Sequence, residues 1–219
     1  MVLDENQVQS FLLAARESRY QVLYFLAIAT GLREGELLGL QWSDIDWVNR
    51  RIQIKRQLQR LPEGKGLTFS EPKSRSGKRV IVVGPVVLEK LRNHLNQQLL
   101  IRQFAGDRWQ DNDLVFPSTI GTPMEWRNMV RDFKDTLKRA GLPDIRFHDL
   151  RHTAATLMLK EGIHPKVVQE RLGHSQISLT LDTYSHVLPS MQEEAAQILD
   201  QLLTPISISV GQRKDLIEK

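Results

Sequence analysis

Residues 148–153 read His148-Asp149-Leu150-Arg151-His152-Thr153, a short run rich in cationic and imidazole side chains. On a helix that begins near His148, the side chains of His148, Arg151 and His152 share one face, because residues three and four apart are neighbours. The opposite face is apolar and would pack into a core through Leu150, Ala154, Leu157 and Met158. Cations at the positive end of a helix dipole are unfavourable unless an anion joins them. The stretch therefore favours an anion-binding site over an ordinary solvated basic face.

Helical periodicity extends from this stretch over most of the chain. Apolar spacing, caps, prolines and glycines predict helices that begin at Asp4, Tyr20, Arg33, Pro85, Glu125, His148 and Pro165, one that leads to Tyr184, and one from Pro189. Alternating apolar residues predict strands at 51–55, 67–70 and 79–83, which we interpret as one antiparallel sheet. The predicted fold class is mainly α with a small three-stranded antiparallel β-sheet (α+β). We expect one domain over residues 1–203 and a tail over 204–219.

Composition limits the classes of function. The chain has 219 residues, 30 basic and 26 acidic side chains, a net charge of +4 and no cysteine. Disulfides, thiolate nucleophiles and zinc–cysteine clusters are excluded, and a reducing cytoplasm fits. The longest apolar run, residues 22–29, is far shorter than the ~20 residues that span a bilayer, and the N-terminus does not have the pattern of a secretory signal. We therefore expect a soluble cytoplasmic protein with no membrane partner. The slight excess of basic side chains weakly favours a polyanionic binding partner.

Four further residues draw attention, although each has an ordinary interpretation when taken alone. Arg33 could be a surface arginine paired with a neighbouring glutamate, and Lys73 a solubilising lysine at a hairpin tip. His174 follows a glycine at a helix end, where histidine often only complements the dipole. Tyr184 lies among small polar residues, with no apolar stripe that would bury its ring.

The order of these residues changes the interpretation. Together they resemble the tyrosine recombinase family, also called phage integrases, and the resemblance covers nearly the whole chain. It rests on four motifs in sequence: Thr30-Gly31-Leu32-Arg33-x-x-Glu36-Leu37, His148-Asp149-Leu150-Arg151-His152-Thr153, Leu172-Gly173-His174 and Thr183-Tyr184. The resemblance implies the DNA breaking–rejoining catalytic fold. It also implies site-specific recombination of double-stranded DNA through a 3′-phosphotyrosyl intermediate, without metal, ATP or another cofactor.

The resemblance implies a role for six residues. Arg33 and Arg151 would clamp the non-bridging oxygens of a DNA phosphate, and planar guanidinium groups suit that task. His174 would add a hydrogen bond, and His148 would orient a group or accept a proton. Tyr184 would be the nucleophile, and Lys73 the general acid that protonates the leaving 5′ oxygen.

Two other functions compete with recombination. A type IB topoisomerase shares this chemistry, but such enzymes usually carry lysine where this chain has His148. A non-catalytic regulator could use residues 165–184 as a helix-turn-helix, which would leave the arginine and histidine cluster unexplained.

The resemblance also bears on assembly and on the extent of the protein. It implies a tetramer on DNA, and a monomer or weak oligomer without DNA. Residues 189–203 form an amphipathic helix that would dock on a neighbouring protomer or fold back on its own domain. The resemblance implies a further N-terminal DNA-binding domain, which we expect to be absent from this chain, and the target sequence and biological task are not readable from the residues.

Overall fold

The computed structural model of the protein describes residues 1–61, 66–72, 75–184 and 189–204. Its helices and strands follow one another along the chain as α1 (Glu5–Ala14), α2 (Gln21–Thr30), α3 (Glu34–Leu38), β1 (Ile45–Asp46), β2 (Arg51–Ile54), β3 (Gln57–Arg60), β4 (Leu67–Ser70), β5 (Arg79–Val82), α4 (Pro85–Ala105), α5 (Trp126–Arg139), α6 (Asp149–Lys160), α7 (Pro165–Leu172), α8 (Ile177–Tyr184) and α9 (Pro189–Leu203). The predicted mainly helical fold is confirmed, and the helices lie where the periodicity placed them. No helix in the described ranges has both the length and the apolar character that a membrane span requires.

The helix ends follow local chemistry. At the start of α1, the Asp4 side chain accepts the Gln7 N–H at 2.8 Å, and the Gln7 side chain accepts the Asp4 N–H at 3.0 Å. This reciprocal cap satisfies two backbone donors that a helix start leaves unpaired. Helices α2 and α7 both end at a glycine with left-handed backbone, Gly31 with φ 66° and Gly173 with φ 71°. These two turns precede Arg33 and His174, so the caps set the direction of both side chains.

The strands pair differently from the prediction. β2 lies between β1 and β5 in a three-stranded antiparallel sheet, with Ile52 opposite Ile81 and Ile45. Residues 67–70 pair instead with β3 in a separate two-stranded hairpin. Sequence patterning missed β3, because Gln57-Leu58-Gln59-Arg60 contains a single apolar residue. The two sheets separate at Lys55-Arg56, whose side chains both turn to the buried carboxylate of Asp44.

The core is centred on a group of aromatic rings. Phe11 of α1 and Phe133 of α5 have centroids 5.4 Å apart, and Phe133 lies 5.5 Å from Phe147, just before α6. Tyr24 of α2 contacts the same group and is fully buried. A second, smaller apolar cluster of Ala155, Leu159, Val168 and Leu172 joins α6 to α7. Helix α6 is therefore held between α2 on one side and α7 on the other.

The predicted division into a domain over 1–203 and a tail over 204–219 stays a prediction. Residues 205–219 lie outside the described part of the chain. The four apolar side chains Ile198, Leu199, Leu202 and Leu203 of α9 are all more than half exposed.

Candidate active site

Arg33 stands at the N-cap of α3, and a glutamate one turn later explains why an arginine is tolerated there. Glu36 accepts the Arg33 backbone N–H at 2.9 Å through Oε2 and the Arg33 Nη1 at 2.9 Å through Oε1. The Arg33 side chain is 38% exposed, whereas that of Glu36 is 2% exposed. Burial opposes ionisation of Glu36, but hydrogen bonds and charge from Arg79 and Arg33 outweigh it and lower the pKa of that carboxyl. Glu36 is therefore a buried carboxylate that holds Arg33 at the surface.

Arg151 is almost completely buried in the first turn of α6. Its Nη1 donates to the carbonyl of Gly31 and its Nη2 to the carbonyl of Leu172, both at 2.7 Å. These carbonyls belong to the ends of α2 and α7, where helix termini leave acceptors without intrahelical partners. The guanidinium thus joins three helices and has its plane fixed by two of them.

His174 follows the left-handed Gly173 and points its ring toward α8. Its Nδ1 lies 2.8 Å from the hydroxyl oxygen of Thr180, which is fully buried. Its backbone is also held, since the Gln169 side chain donates to the His174 carbonyl at 2.7 Å. Burial, followed by the positive charges of Arg151 and Arg33, lowers the pKa of His174 to about 4. The imidazole is therefore neutral at neutral pH and is close to both arginines.

His148 stands at the N-cap of α6 and His152 lies one turn later on the same face, as the spacing predicts. Their rings meet edge to face, with centroids 5.1 Å apart. Burial, the neighbouring His152 and the charges of Arg151 and Arg33 lower the pKa of His148. The carboxylate of Asp149 is engaged by Arg146, whose Nη2 donates to it at 2.9 Å.

These groups form a cationic cluster with little negative charge of its own. Arg33, His148, Arg151 and His174 come from three different parts of the chain, since His148 and Arg151 both lie at the start of α6, and they share one electrostatic environment. The two carboxylates close by, Glu36 and Asp149, are each bound to arginine. An arrangement that depresses the pKa of its histidines in this way is suited to binding an anion such as a phosphodiester.

The structure describes the other two predicted residues less fully. Tyr184 is the last residue of α8, and the side chain of Thr180 in the same helix meets His174. Lys73 lies outside the described residues. Its flanks are described: Pro72 packs against Gly77 of the short 3₁₀ turn Arg75–Gly77, and this turn leads into β5.

The other two tyrosines are committed to the core. Tyr24 is fully buried, and its hydroxyl lies 2.8 Å from Asp132 Oδ1 and 3.0 Å from the Met129 carbonyl. Burial, together with the Asp132 carboxylate, strongly raises the pKa of Tyr24. Tyr20 is only 8% exposed and packs beside it. Neither ring is placed to act on a large substrate.

Comparison with known proteins decides the family. The family model described as "Phage integrase family" matches residues 1–191. The chain belongs to the phage integrase family. Of the two alternatives, neither the topoisomerase nor the helix-turn-helix regulator is favoured by this match.

The chain is similar to curated recombinases and integrases of bacteria. The chain is 33% identical over 209 residues to a "Tyrosine recombinase XerC-like" protein of Caldanaerobacter subterraneus subsp. tengcongensis, covering 90% of this chain and 53% of that protein. It is 32% identical over 184 residues to the ICEBs1 integrase of Bacillus subtilis, covering 84% of this chain and 49% of the relative. The chain therefore spans about half the length of the curated integrases that it matches.

Solved integrase structures have the same fold. The Tn1549 transposon integrase in complex with circular intermediate DNA aligns with a TM-score of 0.76 at 26% identity, over 91% of this chain and 67% of that one. The XerA recombinase aligns with a TM-score of 0.67 at 25% identity, over 94% of this chain and 66% of that one. These similarities confirm the predicted tyrosine recombinase catalytic fold.

The sequence motifs do not point to one residue that organises this candidate site. Arg79 is a buried arginine at the start of β5 that forms a two-pronged ion pair with Glu36, each N–O distance being 2.9 Å. In the sequence it is only the first residue of an apolar strand. Glu36 belongs to the motif around Arg33, but the motif does not show which partner it has.

Proposed function

We propose that this chain is the catalytic part of a site-specific DNA recombinase, or integrase, that cuts and reseals double-stranded DNA through a covalent 3′-phosphotyrosyl link. The observation that carries the proposal is the cationic cluster of Arg33, His148, Arg151 and His174, next to the helix that ends at Tyr184. The cluster offers planar and imidazole donors to an anion, and the nearby carboxylates of Glu36 and Asp149 are each already paired with arginine.

Each group has a chemical task in this mechanism. Arg33 and Arg151 bind the non-bridging oxygens of the phosphate and stabilise the charge that concentrates there in the transition state. His174, which is neutral because its pKa is about 4, contributes a hydrogen bond without adding a charge that Arg151 and Arg33 would repel. The carbonyls that fix the Arg151 guanidinium set its orientation before DNA arrives, and this preorganisation lowers the cost of reaching the transition state.

The covalent step transfers the DNA phosphoryl group from the 5′ oxygen to the oxygen of Tyr184. The Tyr184 oxygen attacks phosphorus, the bond between phosphorus and the 5′ oxygen breaks, and the protein becomes linked to the 3′ phosphate. The phenol proton passes to His148, whose lowered pKa keeps it neutral and able to accept a proton at neutral pH. The leaving 5′ oxygen takes a proton from Lys73.

Resealing reverses these steps with another strand. A 5′ hydroxyl attacks the phosphotyrosyl phosphorus, the tyrosine leaves, and a phosphodiester is restored. Because the link conserves the energy of the bond that was cut, the balance requires neither a nucleotide nor a metal ion.

We further propose that four copies act together on two DNA sites, that α9 mediates contact between protomers, and that the enzyme works in the cytoplasm. The amphipathic character and exposed apolar side chains of α9 support the contact between copies. The lack of cysteine favours a reducing compartment.

The decisive experiment is formation of an adduct that survives SDS. The chain is incubated with a nicked duplex and with supercoiled plasmid, and covalent protein–DNA species are separated on denaturing gels. We expect an adduct that Tyr184→Phe abolishes while DNA binding stays nearly intact. Tyr20→Phe is the matched control, because it removes a hydroxyl from a core tyrosine and should leave the adduct unchanged.

Three outcomes discriminate between the functions. An adduct that survives Tyr184→Phe would contradict the assignment of the nucleophile. A helix-turn-helix regulator would give no adduct at all. Relaxation of the plasmid without any strand exchange would favour a topoisomerase.

A further inference from the structure

We infer that Arg79 is a positioning residue for DNA cleavage: it fixes the turn Arg75–Gly77, which follows Lys73 in the sequence, against the segment that leads to His174. The inference rests on the proposed function, since the step affected is protonation of the leaving 5′ oxygen. No motif of the sequence pointed to Arg79, and its role emerges only from its contacts.

The guanidinium of Arg79 is committed to the protein. Its Nε donates to the Arg171 carbonyl at 2.8 Å, its Nη1 to Glu36 at 2.9 Å and to the Gly77 carbonyl at 3.1 Å, and its Nη2 to Glu36 at 2.9 Å. These bonds use four of the five N–H groups that an arginine has. The side chain is 7% exposed. Because four of its five N–H groups are already bonded within the protein, Arg79 has too few donors left to clamp a DNA phosphate.

The bonds of Arg79 tie together three separate segments. Glu36 belongs to α3 and also holds Arg33, Gly77 ends the turn before β5, and Arg171 is the penultimate residue of α7. A single side chain thus connects the start of α3, where Arg33 stands, to the β4–β5 connection and to the end of the helix that precedes His174.

Close packing reinforces the contact with the segment before His174. A Cβ built on Gly173 would lie 2.8 Å from the Ser76 carbonyl oxygen and 2.9 Å from Arg79 Nη1. Only glycine fits that approach, so the turn 75–77 rests directly on the residue before His174. Lys73 is two positions before this turn in the sequence.

Loss of Arg79 should loosen one end of β5, while Glu36 keeps its two hydrogen bonds from Arg33. The other end is held independently, because Arg171 Nη1 donates to the Val82 carbonyl at 2.8 Å. Strand β5 also keeps its four residue pairs with β2. The turn next to Gly77 would therefore lose its attachment while the fold is retained.

A matched pair of variants separates positioning from general stabilisation. Arg79→Met removes the guanidinium but fills its volume, and Arg56→Met removes a comparable arginine that pairs with buried Asp44. Hydrogen–deuterium exchange should become faster over residues 75–79 and 171–174 in Arg79→Met, but not in Arg56→Met, with α1 and α5 unchanged in both. Unaltered exchange over these two segments would overturn the inference, whether or not the chain cleaves DNA.

A change of leaving group tests the catalytic consequence. Sites that the unsubstituted chain cleaves in plasmid DNA are mapped, and the preferred one is made as a duplex with either oxygen or sulfur at the bridging 5′ position. A thiolate departs without a proton, so the sulfur duplex does not need a general acid. Because general acid catalysis contributes on the order of 10²–10⁴-fold, we expect Arg79→Met to slow cleavage of the oxygen duplex by about 100-fold and of the sulfur duplex by less than about 10-fold.

Two further variants show whether the slowing by Arg79→Met reflects the loss of a general acid. Lys73→Ala should also cleave the sulfur duplex much faster than the oxygen duplex. Arg79→Lys should cleave the oxygen duplex at a rate between those of Arg79→Met and the unsubstituted chain, since lysine keeps the charge but not the planar fork of donors. Equal slowing of both duplexes by Arg79→Met would overturn the positioning of Lys73. Absence of any adduct with the unsubstituted chain would instead count against the proposed function, and the exchange experiment would still decide whether Arg79 fixes the turn.

Discussion

Replacing Gly31 with alanine tests the junction on which Arg151 depends. Gly31 ends α2 with φ 66°, and a Cβ on it would lie 2.5 Å from Leu172 Cδ2. The carbonyls of these same two residues accept the hydrogen bonds of Arg151. The substitution therefore strains the backbone and pushes apart the two groups that hold the arginine.

The expected cost has two parts. Left-handed backbone costs a residue with a Cβ roughly 1–2 kcal/mol. Leu172 is fully buried among Ala155, Leu159 and Val168, so making room for the methyl group adds about 1–3 kcal/mol of overpacking. Gly141→Ala is the control, because Gly141 has nearly the same φ, 65°, but nothing within 4 Å of a built Cβ. Gly141→Ala should therefore lower the free energy of unfolding only by the cost of the left-handed backbone.

The assay is urea unfolding of both variants, followed by adduct formation under conditions in which each is folded. We expect Gly31→Ala to lose about 1–3 kcal/mol more stability than Gly141→Ala and to form the adduct on the order of tenfold more slowly, because small displacements of reacting groups slow catalysis strongly. Equal destabilisation by the two substitutions would refute the close packing of Gly31 on Leu172. A normal rate of adduct formation in destabilised Gly31→Ala would refute the role of the junction in orienting Arg151.

Two further predictions concern pH and assembly. The pKa of His174 is about 4 in the folded chain, below its ordinary value, so the unfolded chain takes up a proton first as the pH falls. The stability that neutral His174 contributes is thus present above about pH 6.5 and is lost toward pH 4, with a slope of up to about 1.4 kcal/mol per pH unit. His174→Gln should flatten unfolding free energy against pH over this range, and an unchanged slope would contradict the assignment. For α9, Leu202→Glu should weaken assembly on DNA in light scattering without lowering the melting temperature, because Leu202 is 75% exposed. Phe104→Glu, at an 87% exposed position on α4, should leave assembly intact, and equal behaviour of the two variants would argue against docking through α9.

The helices could be predicted because their signals are local. The Asp4 cap, the glycines at 31 and 173 and the prolines at 85 and 165 act within one turn of where they stand, and the structure has helix ends at each of them. The strands and their pairing were harder to predict from the sequence. Their partners are set by contacts across the chain, and β3 has too few apolar residues to be recognised by alternation.

The candidate site was also only partly predictable from the sequence. Four of the six predicted residues come together in the structure, and their catalytic roles stay predictions, as do those of Lys73 and Tyr184. What the motifs did not reveal are the groups that hold these side chains in place. Arg79 reaches Glu36 across 43 residues of sequence and Arg171 across 92.

Local sequence is enough to specify where helices begin and end and which residue types occupy the integrase motifs. Both depend on short stretches whose chemistry is complete within a few residues. Long-range contacts specify which carbonyls fix Arg151, how β2 and β5 pair, and how a buried arginine links three segments around the site. Those features depend on which distant surfaces pack together, because a guanidinium can satisfy its donors only where several remote acceptors converge.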